Sequence, residues 1–241
     1  MNLREERTET GPATRHQAYT GVREDIVNLV PLNAMNVLDV GCSNGALGLG
    51  LLRLRLERRV SGIEINPQYA LEAESVLNRV ICANLEQLDW ASTWRGEKFD
   101  CIIFADVLEH LSNPSRCLGD AVSHLAPTGC IIVSLPNIRH ISAFKAIFLE
   151  GSFPRKSRGI FDDTHLRWFT ISDGLKLMQS QGLLVKKLEP ALRIGDQGGG
   201  WINRRLNKLP LRIKSWWLLR EFFGYQISYQ AWKESDEPKR T

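Results

Sequence analysis

The apolar residues of this chain cluster in short, nearly continuous runs. Asn36–Val40, Val60–Ile65, Val80–Ala83, Phe99–Ala105 and Cys130–Leu135 each carry apolar side chains on neighbouring positions, as strands covered on both faces do. Helical spacing fills the gaps between them. The turn Gly41–Gly45 leads into an apolar helix reaching about Leu56. Pro67 opens a helix to about Asn78, and Pro114 lies near the start of another, Asn113–Leu125. Upstream, Val22, Ile26, Val27 and Leu29 fit a short helix from Tyr19 to Leu29, with Pro31 just beyond it. Pro127-Thr128-Gly129 predicts a turn before the fifth strand. A helix over Ile171–Gln181 precedes a sixth strand, Leu183–Leu188. Tyr225, Ile227, Tyr229 and Ala231 alternate with polar neighbours in a seventh, Tyr225–Trp232. Strands alternating with helices require right-handed crossovers and build a parallel sheet. The prediction is a doubly wound α/β fold, whose ligands bind at the carboxyl ends of the strands.

Composition narrows this reading at two points. Of 241 residues, 43% are hydrophobic and 24% charged, enough apolar material to exclude disorder as the main state. Lys plus Arg is 31 against 27 for Asp plus Glu, a formal net charge of +4. The excess is local. Between Arg193 and Arg220 lie seven basic residues and one acid, Asp196, so the rest of the chain is slightly acidic. The first thirty residues lack the apolar core of a signal peptide, and no run approaches the roughly 18–20 apolar residues that cross a bilayer. Five cysteines, Cys42, Cys82, Cys101, Cys117 and Cys130, are odd in number and have no metal-type spacing. A cytoplasmic protein is expected.

The ends of the first two strands carry the clearest chemistry. The first reads Val37-Leu38-Asp39-Val40-Gly41-Cys42-Ser43-Asn44-Gly45, and the second ends Gly62-Ile63-Glu64-Ile65-Asn66-Pro67. Glycines at 41 and 45 let the backbone turn sharply beside a ligand. An acid at the end of the second strand accepts hydrogen bonds from a ribose diol. Strand, glycine turn, helix, strand and acid together indicate a nucleoside-bearing cofactor. A dinucleotide would need Gly-x-Gly-x-x-Gly or Ala, and the frame Gly41-x-Ser43-x-x-Ala46 lacks the middle glycine that admits a pyrophosphate. Asp39, just before the turn, suits an ammonium or sulfonium instead. S-adenosylmethionine carries both and has no phosphate.

With these motifs, the sequence resembles the class I S-adenosylmethionine-dependent methyltransferases. The matches are Val37–Gly45, Gly62-Ile63-Glu64, Ala83-Asn84-Leu85-Glu86, Phe99-Asp100 and Ala105-Asp106-Val107-Leu108-Glu109-His110-Leu111. Two later runs, Ser134-Leu135-Pro136-Asn137-Ile138-Arg139-His140 and Asp163-Thr164-His165-Leu166-Arg167-Trp168-Phe169-Thr170, look like a subgroup linked to sugar and polysaccharide biosynthesis. Ubiquinone-pathway O-methyltransferases share the core. The resemblance implies a seven-stranded, mainly parallel Rossmann-like sheet whose last two strands pair antiparallel. It implies one methyltransferase domain over 35–241 after a lead-in and cap helix at 1–34. A covering segment lies at 137–170, and a basic helical insertion at 190–224.

The resemblance also assigns S-adenosylmethionine contacts. Gly41, Cys42, Ser43 and Gly45 form the backbone beside the methionine part, with Asp39 supporting the turn. Glu64 holds the ribose diol, Ile65 packs on the adenine, and Asn84 and Leu85 meet its edge. Ala105 lies near the methionine amino group. From the residues themselves, Asp106 is read as a ligand contact, and His110 either as lining the reaction pocket or as filling a satisfied core position. Ser43 stands where a second glycine is usual, and Asn84 where an acid is commoner. Asp106 has a second reading as a helix N-cap, and Glu109 reads as structural.

His165 with Asp163 is read in two ways. In one, His165 is the general base or positions the acceptor, with Asp163 orienting it. In the other, the pair pins the covering segment by hydrogen bonds. Nothing fixes a coordination spacing among Asp106, Asp162, Asp163 and His165, so no metal is expected. The segment after the fourth strand lacks the Asn/Asp-Pro-Pro-aromatic run of amine methylators, which favours an oxygen acceptor on a small molecule or saccharide. The alternatives are an N-methyltransferase, a non-catalytic cofactor-binding or docking protein and, more distantly, a nicotinamide-dependent oxidoreductase.

The insertion combines its basic residues with Trp201, Trp216, Trp217 and other apolar side chains; a break is expected at Pro210, and Gly198-Gly199-Gly200 makes a flexible entry. It is read as a helical wall of the pocket, as a dock for an anionic membrane surface over 201–223, as a dimer interface or, least favoured, as a nucleic-acid contact. Peripheral placement at the inner membrane surface is the matching alternative for location.

Overall fold

A computed structural model describes residues 21–195 and 200–234. The polar lead-in before residue 21 and the Gly198-Gly199 entry lie outside the described residues. Seven strands form one sheet: β1 (Asn36–Val40), β2 (Arg59–Glu64), β3 (Arg79–Cys82), β4 (Phe99–Ala105), β5 (Leu125–Pro136), β6 (Leu183–Leu192) and β7 (Gly224–Lys233). Their order is β3-β2-β1-β4-β5-β7-β6. The first five run parallel, and β7 inserts antiparallel between β5 and β6.

Strand alternation divides the core. On one face Leu38 and Val40 meet Ile102, Phe104, Ile131 and Val133. On the other, Val37 meets Cys101, Ile103, Cys130 and Ile132. Nearly all of these side chains are fully buried, which is why their runs read as apolar on both faces.

The helices are shorter than their patterns suggest. They are α1 (Glu24–Val27), α2 (Ala46–Leu54), α3 (Pro67–Glu74), α4 (Trp90–Trp94), α5 (Pro114–Ser123), α6 (Ile141–Phe144) and α7 (Ile171–Ser180). Asn66 and Asn113 cap α3 and α5, each followed by proline. The short α4, capped by Asp89, has no counterpart in the sequence reading. The fifth strand starts at Leu125, five residues before its predicted start at Cys130. Pro127–Gly129 lie within it as a bulge, where the pairing with β4 jumps from Phe99–Leu125 to Cys101–Cys130.

After β5 the chain passes through α6 into a π-helical turn, Lys145–Leu149, and a long loop to α7. Ala143, Ala146, Ile160, Phe161 and Tyr225 pack this covering segment onto the sheet. β6 runs four residues past its predicted end, which shortens the insertion. Its described part holds α8 (Trp201–Asn207), α9 (Leu211–Lys214) and α10 (Trp217–Phe223), with Pro210 just ahead of α9. Asn207 clamps α8 to the strand end, accepting from the Leu192 N–H and donating to the Leu192 carbonyl, both at 2.8 Å. Among the described residues no helix is long and apolar enough to cross a membrane.

One buried cation holds the approach to β1. The Arg58 guanidinium donates to the carbonyls of Ala34 (3.0 Å), Pro31 (2.9 Å) and Leu51 (3.3 Å). Arg58→Met keeps most of the side-chain volume and leaves three carbonyls without that donor. We expect it to lower stability by about 2–4 kcal/mol, read as a lower urea midpoint at unchanged slope.

Candidate active site

The carboxyl ends of β1, β2 and β4 meet at one edge of the sheet. After Val40 the backbone enters the left-handed region three times in five residues, at Gly41 (φ 75°), Ser43 (φ 46°) and Gly45 (φ 82°). A Cβ on Gly41 would sit 2.5 Å from Val107 Cγ2, so this position excludes a side chain on steric grounds as well. Glu64 holds the turn. One carboxylate oxygen accepts from the Ser43 N–H and the other from the Asn66 N–H, both at 2.8 Å.

Asp39 is buried beneath this turn. Burial first, and then the Glu64 carboxylate, push its carboxyl up to about 7. Asp39 Oδ2 and Ser43 Oγ are both buried without a hydrogen-bond partner. Buried acceptors left open in this way fit a ligand that brings a cation or donors to the turn. Ile65, next to Glu64, is 65% exposed and offers an apolar surface to a flat ring.

Other predicted contacts are placed less directly. Cys42 turns its thiol inward, where burial first and then Asp39 raise it above its ordinary range. Only its backbone remains for a ligand. Leu85 buries its side chain in the core. The Asn84 side-chain oxygen, expected to accept from adenine, accepts from the Glu86 N–H at 2.9 Å. Ala105 closes β4 opposite Ser134.

Asp106, just beyond β4, has φ 60°. It is not a helix cap: Val107 holds that position before the 3-10 turn Leu108–His110, without a side-chain cap. The Asp106 carboxylate instead accepts from the Arg23 guanidinium and the Gln226 amide. Arg23 also donates to Ser134 Oγ at 3.1 Å and bridges to Asp25 at 2.8 Å. Burial opposes the guanidinium's charge, but Asp106 and Asp25 outweigh it and hold Arg23 above its ordinary range. Arg23 and Gln226 were not anticipated. Ser134, a fully buried hydroxyl at the end of an apolar strand, was the one visible signal.

Beside Asp106 lies a second cluster. The His110 and His165 rings meet edge to face with centroids 4.7 Å apart. His165 Nδ1 is 3.2 Å from the Ile160 carbonyl, which can only accept, so Nδ1 carries the proton and Nε2 keeps its lone pair. Burial, and then His110, lower the His165 pKa and keep the ring neutral. The carboxylates acting on it are Asp162 and Asp106. Asp163, the predicted orienting acid, is exposed, and the Ile160 carbonyl takes the orienting role. Thr164 links the two sides, donating to Asp162 at 2.6 Å with its hydroxyl 3.0 Å from His110 Nδ1.

Glu109 is fully buried. Burial first, and then Asp106, raise its carboxyl well above the usual range, and its Oε2 has no partner. Ligand atoms of Glu109, His110 and His165 lie within 4.8 Å of one another. This set can hold a divalent cation if Glu109 gives up its proton. Sequence spacing could not have shown it, because His165 arrives from a distant segment.

Comparison with known proteins agrees with this geometry. A family model described as a methyltransferase domain matches residues 14–188. The mitochondrial ubiquinone biosynthesis O-methyltransferase of Candida albicans is 30% identical over 132 residues, covering 53% of this chain and 39% of that protein. The ubiquinone biosynthesis O-methyltransferase of Parvibaculum lavamentivorans is 27% identical over 164 residues, covering 66% and 62%. The chain thus spans less than two thirds of either relative. Among solved structures, magnesium protoporphyrin IX methyltransferase from Synechocystis PCC 6803 with bound SAH superposes with a TM-score of 0.57 at 17% identity, covering 92% of this chain and 84% of that one. A SAM-dependent methyltransferase from Archaeoglobus fulgidus superposes with a TM-score of 0.58 at 17% identity, covering 90% and 93%. The sheet order and the site define a Rossmann-like methyltransferase fold. The chain belongs to the methyltransferase-domain family, which uses S-adenosylmethionine.

Two measurements test the site. Glu64→Ala removes the acceptor of two backbone amides, and S-adenosylhomocysteine affinity by calorimetry is expected to fall roughly 10- to 100-fold with the fold retained. Asp39 titrates near 3.8 when unfolded and about 7 in the fold. Its stabilising effect is therefore present below about pH 4 and lost as pH rises to about 7, at most about 4 kcal/mol. Over that window the melting temperature of ligand-free Asp39→Asn is expected to fall less than that of the unmodified protein.

Proposed function

We propose that the protein is an S-adenosylmethionine-dependent O-methyltransferase acting on a hydroxyl of a small molecule or saccharide. The observation that carries the oxygen acceptor is the neutral His165 ring, with Nδ1 committed to the Ile160 carbonyl and Nε2 free to take a proton. When bound, the cofactor supplies a methyl group already activated on a sulfonium. The chain's residues then have two tasks.

The first is to hold the cofactor. Glu64 would accept from the ribose diol with lone pairs not used by Ser43 and Asn66, and Ile65 would pack on the base. The Gly41–Gly45 backbone passes beside the amino-acid end. Asp39 and Ser43 supply their open acceptors there, and Ala105 and Asp106 border the same end. The second task is to align the acceptor and receive its proton. Alignment for in-line attack contributes several kcal/mol. His165 Nε2 would take the proton of the acceptor hydroxyl, and His110 and Thr164 fix the ring's surroundings. The O-methyltransferase names of the ubiquinone-pathway relatives support an oxygen acceptor.

A labelled-cofactor screen over hydroxylated sugars, quinols and lipid-linked glycans tests the reading. With an acceptor in hand, His165→Ala is expected to lower kcat about 100-fold while S-adenosylhomocysteine binding is unchanged. Asp163→Ala should leave kcat near its original value. The acid limb of the pH–rate profile should fall below 6.5, because the His165 pKa is lowered from that value. If His165 only pins the covering segment, KM rises and kcat stays. Transfer is also expected to persist in EDTA; loss restored by Mg²⁺ would assign Glu109, His110 and His165 to a cation.

A further inference from the structure

Two segments that the catalytic reading does not use come together beside the site. α6 and its π-helical turn expose Phe144, Phe148 and Leu149, the last two at 71%. The insertion exposes Trp216 at 60%, Trp217 at 53%, and also Ile213 and Leu218. These segments are locked to each other. Arg139 forms a 3.0 Å ion pair with Glu221 and lies 5.3 Å from the centroid of the Phe222 ring. The Asn137 amide donates to the carbonyls of Glu221 and Gly224, each at 2.9 Å. Each segment thus carries exposed apolar side chains, and the two are tied together where Asn137 and Arg139 meet Glu221, Phe222 and Gly224.

The charges around it are sorted by direction. Inward cations are neutralised: Lys214 is buried against Glu189 at 3.1 Å, and Arg220 pairs with Glu221. Arg204, Arg205, Lys208 and Arg212 have no carboxylate partner among the described residues. Unpaired cations beside exposed Trp, Phe, Leu and Ile side chains match the boundary between anionic headgroups and acyl chains. A two-fold contact with a second copy would set these cations against themselves. A nucleic-acid groove uses aromatic rings for stacking and has no use for Leu149, Ile213 and Leu218.

We propose that this composite face docks the protein on an anionic phospholipid bilayer and presents the site to an acceptor held at that surface. The part concerning the acceptor rests on the methyl-transfer reading; the docking does not. The face is coupled to the site at both ends. α10 runs directly into β7, whose Gln226 donates to Asp106. The covering segment returns to the 3-10 turn, where the Leu166 N–H donates to the Glu109 carbonyl at 2.9 Å.

The test is sedimentation of the full chain with phosphatidylcholine vesicles, with and without phosphatidylglycerol, at low and high salt. S-adenosylhomocysteine calorimetry on the same samples reports the cofactor site separately. The expected result is binding to anionic vesicles that weakens with salt. Arg204→Glu with Arg205→Glu, and separately Phe148→Glu with Trp216→Glu, should each weaken it roughly tenfold or more without changing S-adenosylhomocysteine affinity. All four side chains are exposed, so the fold should survive. Absence of binding at low salt, or binding that neither pair changes, overturns the proposal. So does a concentration-dependent dimer, or an RNA shift, that the variants abolish without any lipid binding.

Discussion

A single carboxylate joins the two crossovers on which this fold's chemistry rests. Glu64 accepts from the Ser43 N–H in the turn after β1 and from the Asn66 N–H at the start of α3. The turn has a side-chain-bearing residue, Ser43, in the left-handed region, a conformation that needs outside support. With the turn held, Gly41 can lie against Val107, an approach with no room for a Cβ, and Gly45 against Ala73, where a Cβ would be a tight contact. Asp39 is then sealed beneath, where burial and the neighbouring Glu64 push its carboxyl up to about 7. Geometry and electrostatics at this end of the sheet follow from the same contact.

How much of this could be read from the sequence depends on whether the interaction is local along the chain. Asp39, the glycine turn and Glu64 lie at strand ends, and their spacing is set by one strand–helix–strand unit, so they were legible. So were the strands, because burial on both faces leaves no polar alternation to confuse the pattern. The bulge in β5 was not, because Pro127-Thr128-Gly129 carries an ordinary turn signal that the sheet absorbs. Arg23 and Gln226 converge on Asp106, and Ser134 accepts from Arg23, all from distant segments, so no window of sequence contains them together. Asp163 was the expected orienting acid for His165. The ring's orientation comes from the Ile160 carbonyl, and a backbone group leaves no trace in residue identity.

The covering segment and the insertion show how a family fold acquires particular chemistry without changing its sheet. Both are attached at the carboxyl edge, where Asn137 and Gly224 leave β5 and begin β7. Arg139, Glu221 and Phe222 bind them to each other, and Thr164 and Leu166 bind the first of them to His110 and Glu109. His165 therefore owes its place to a segment that the strands alone do not position.

The antiparallel placement of β7 has a consequence for the order in which the molecule is made. During synthesis β1 to β5 can assemble as soon as each crossover has emerged, since each pairs with strands already present. The exposed edge of β5 cannot be covered by β6, because the position beside it belongs to β7. The ribosome must first produce β6 and the whole basic insertion. Until then a nascent chain carries an open strand edge, the kind of surface on which chains misassemble. Gln226 reaches Asp106 only when that strand docks, so the chain acquires its complete site and loses its sticky edge in one late event.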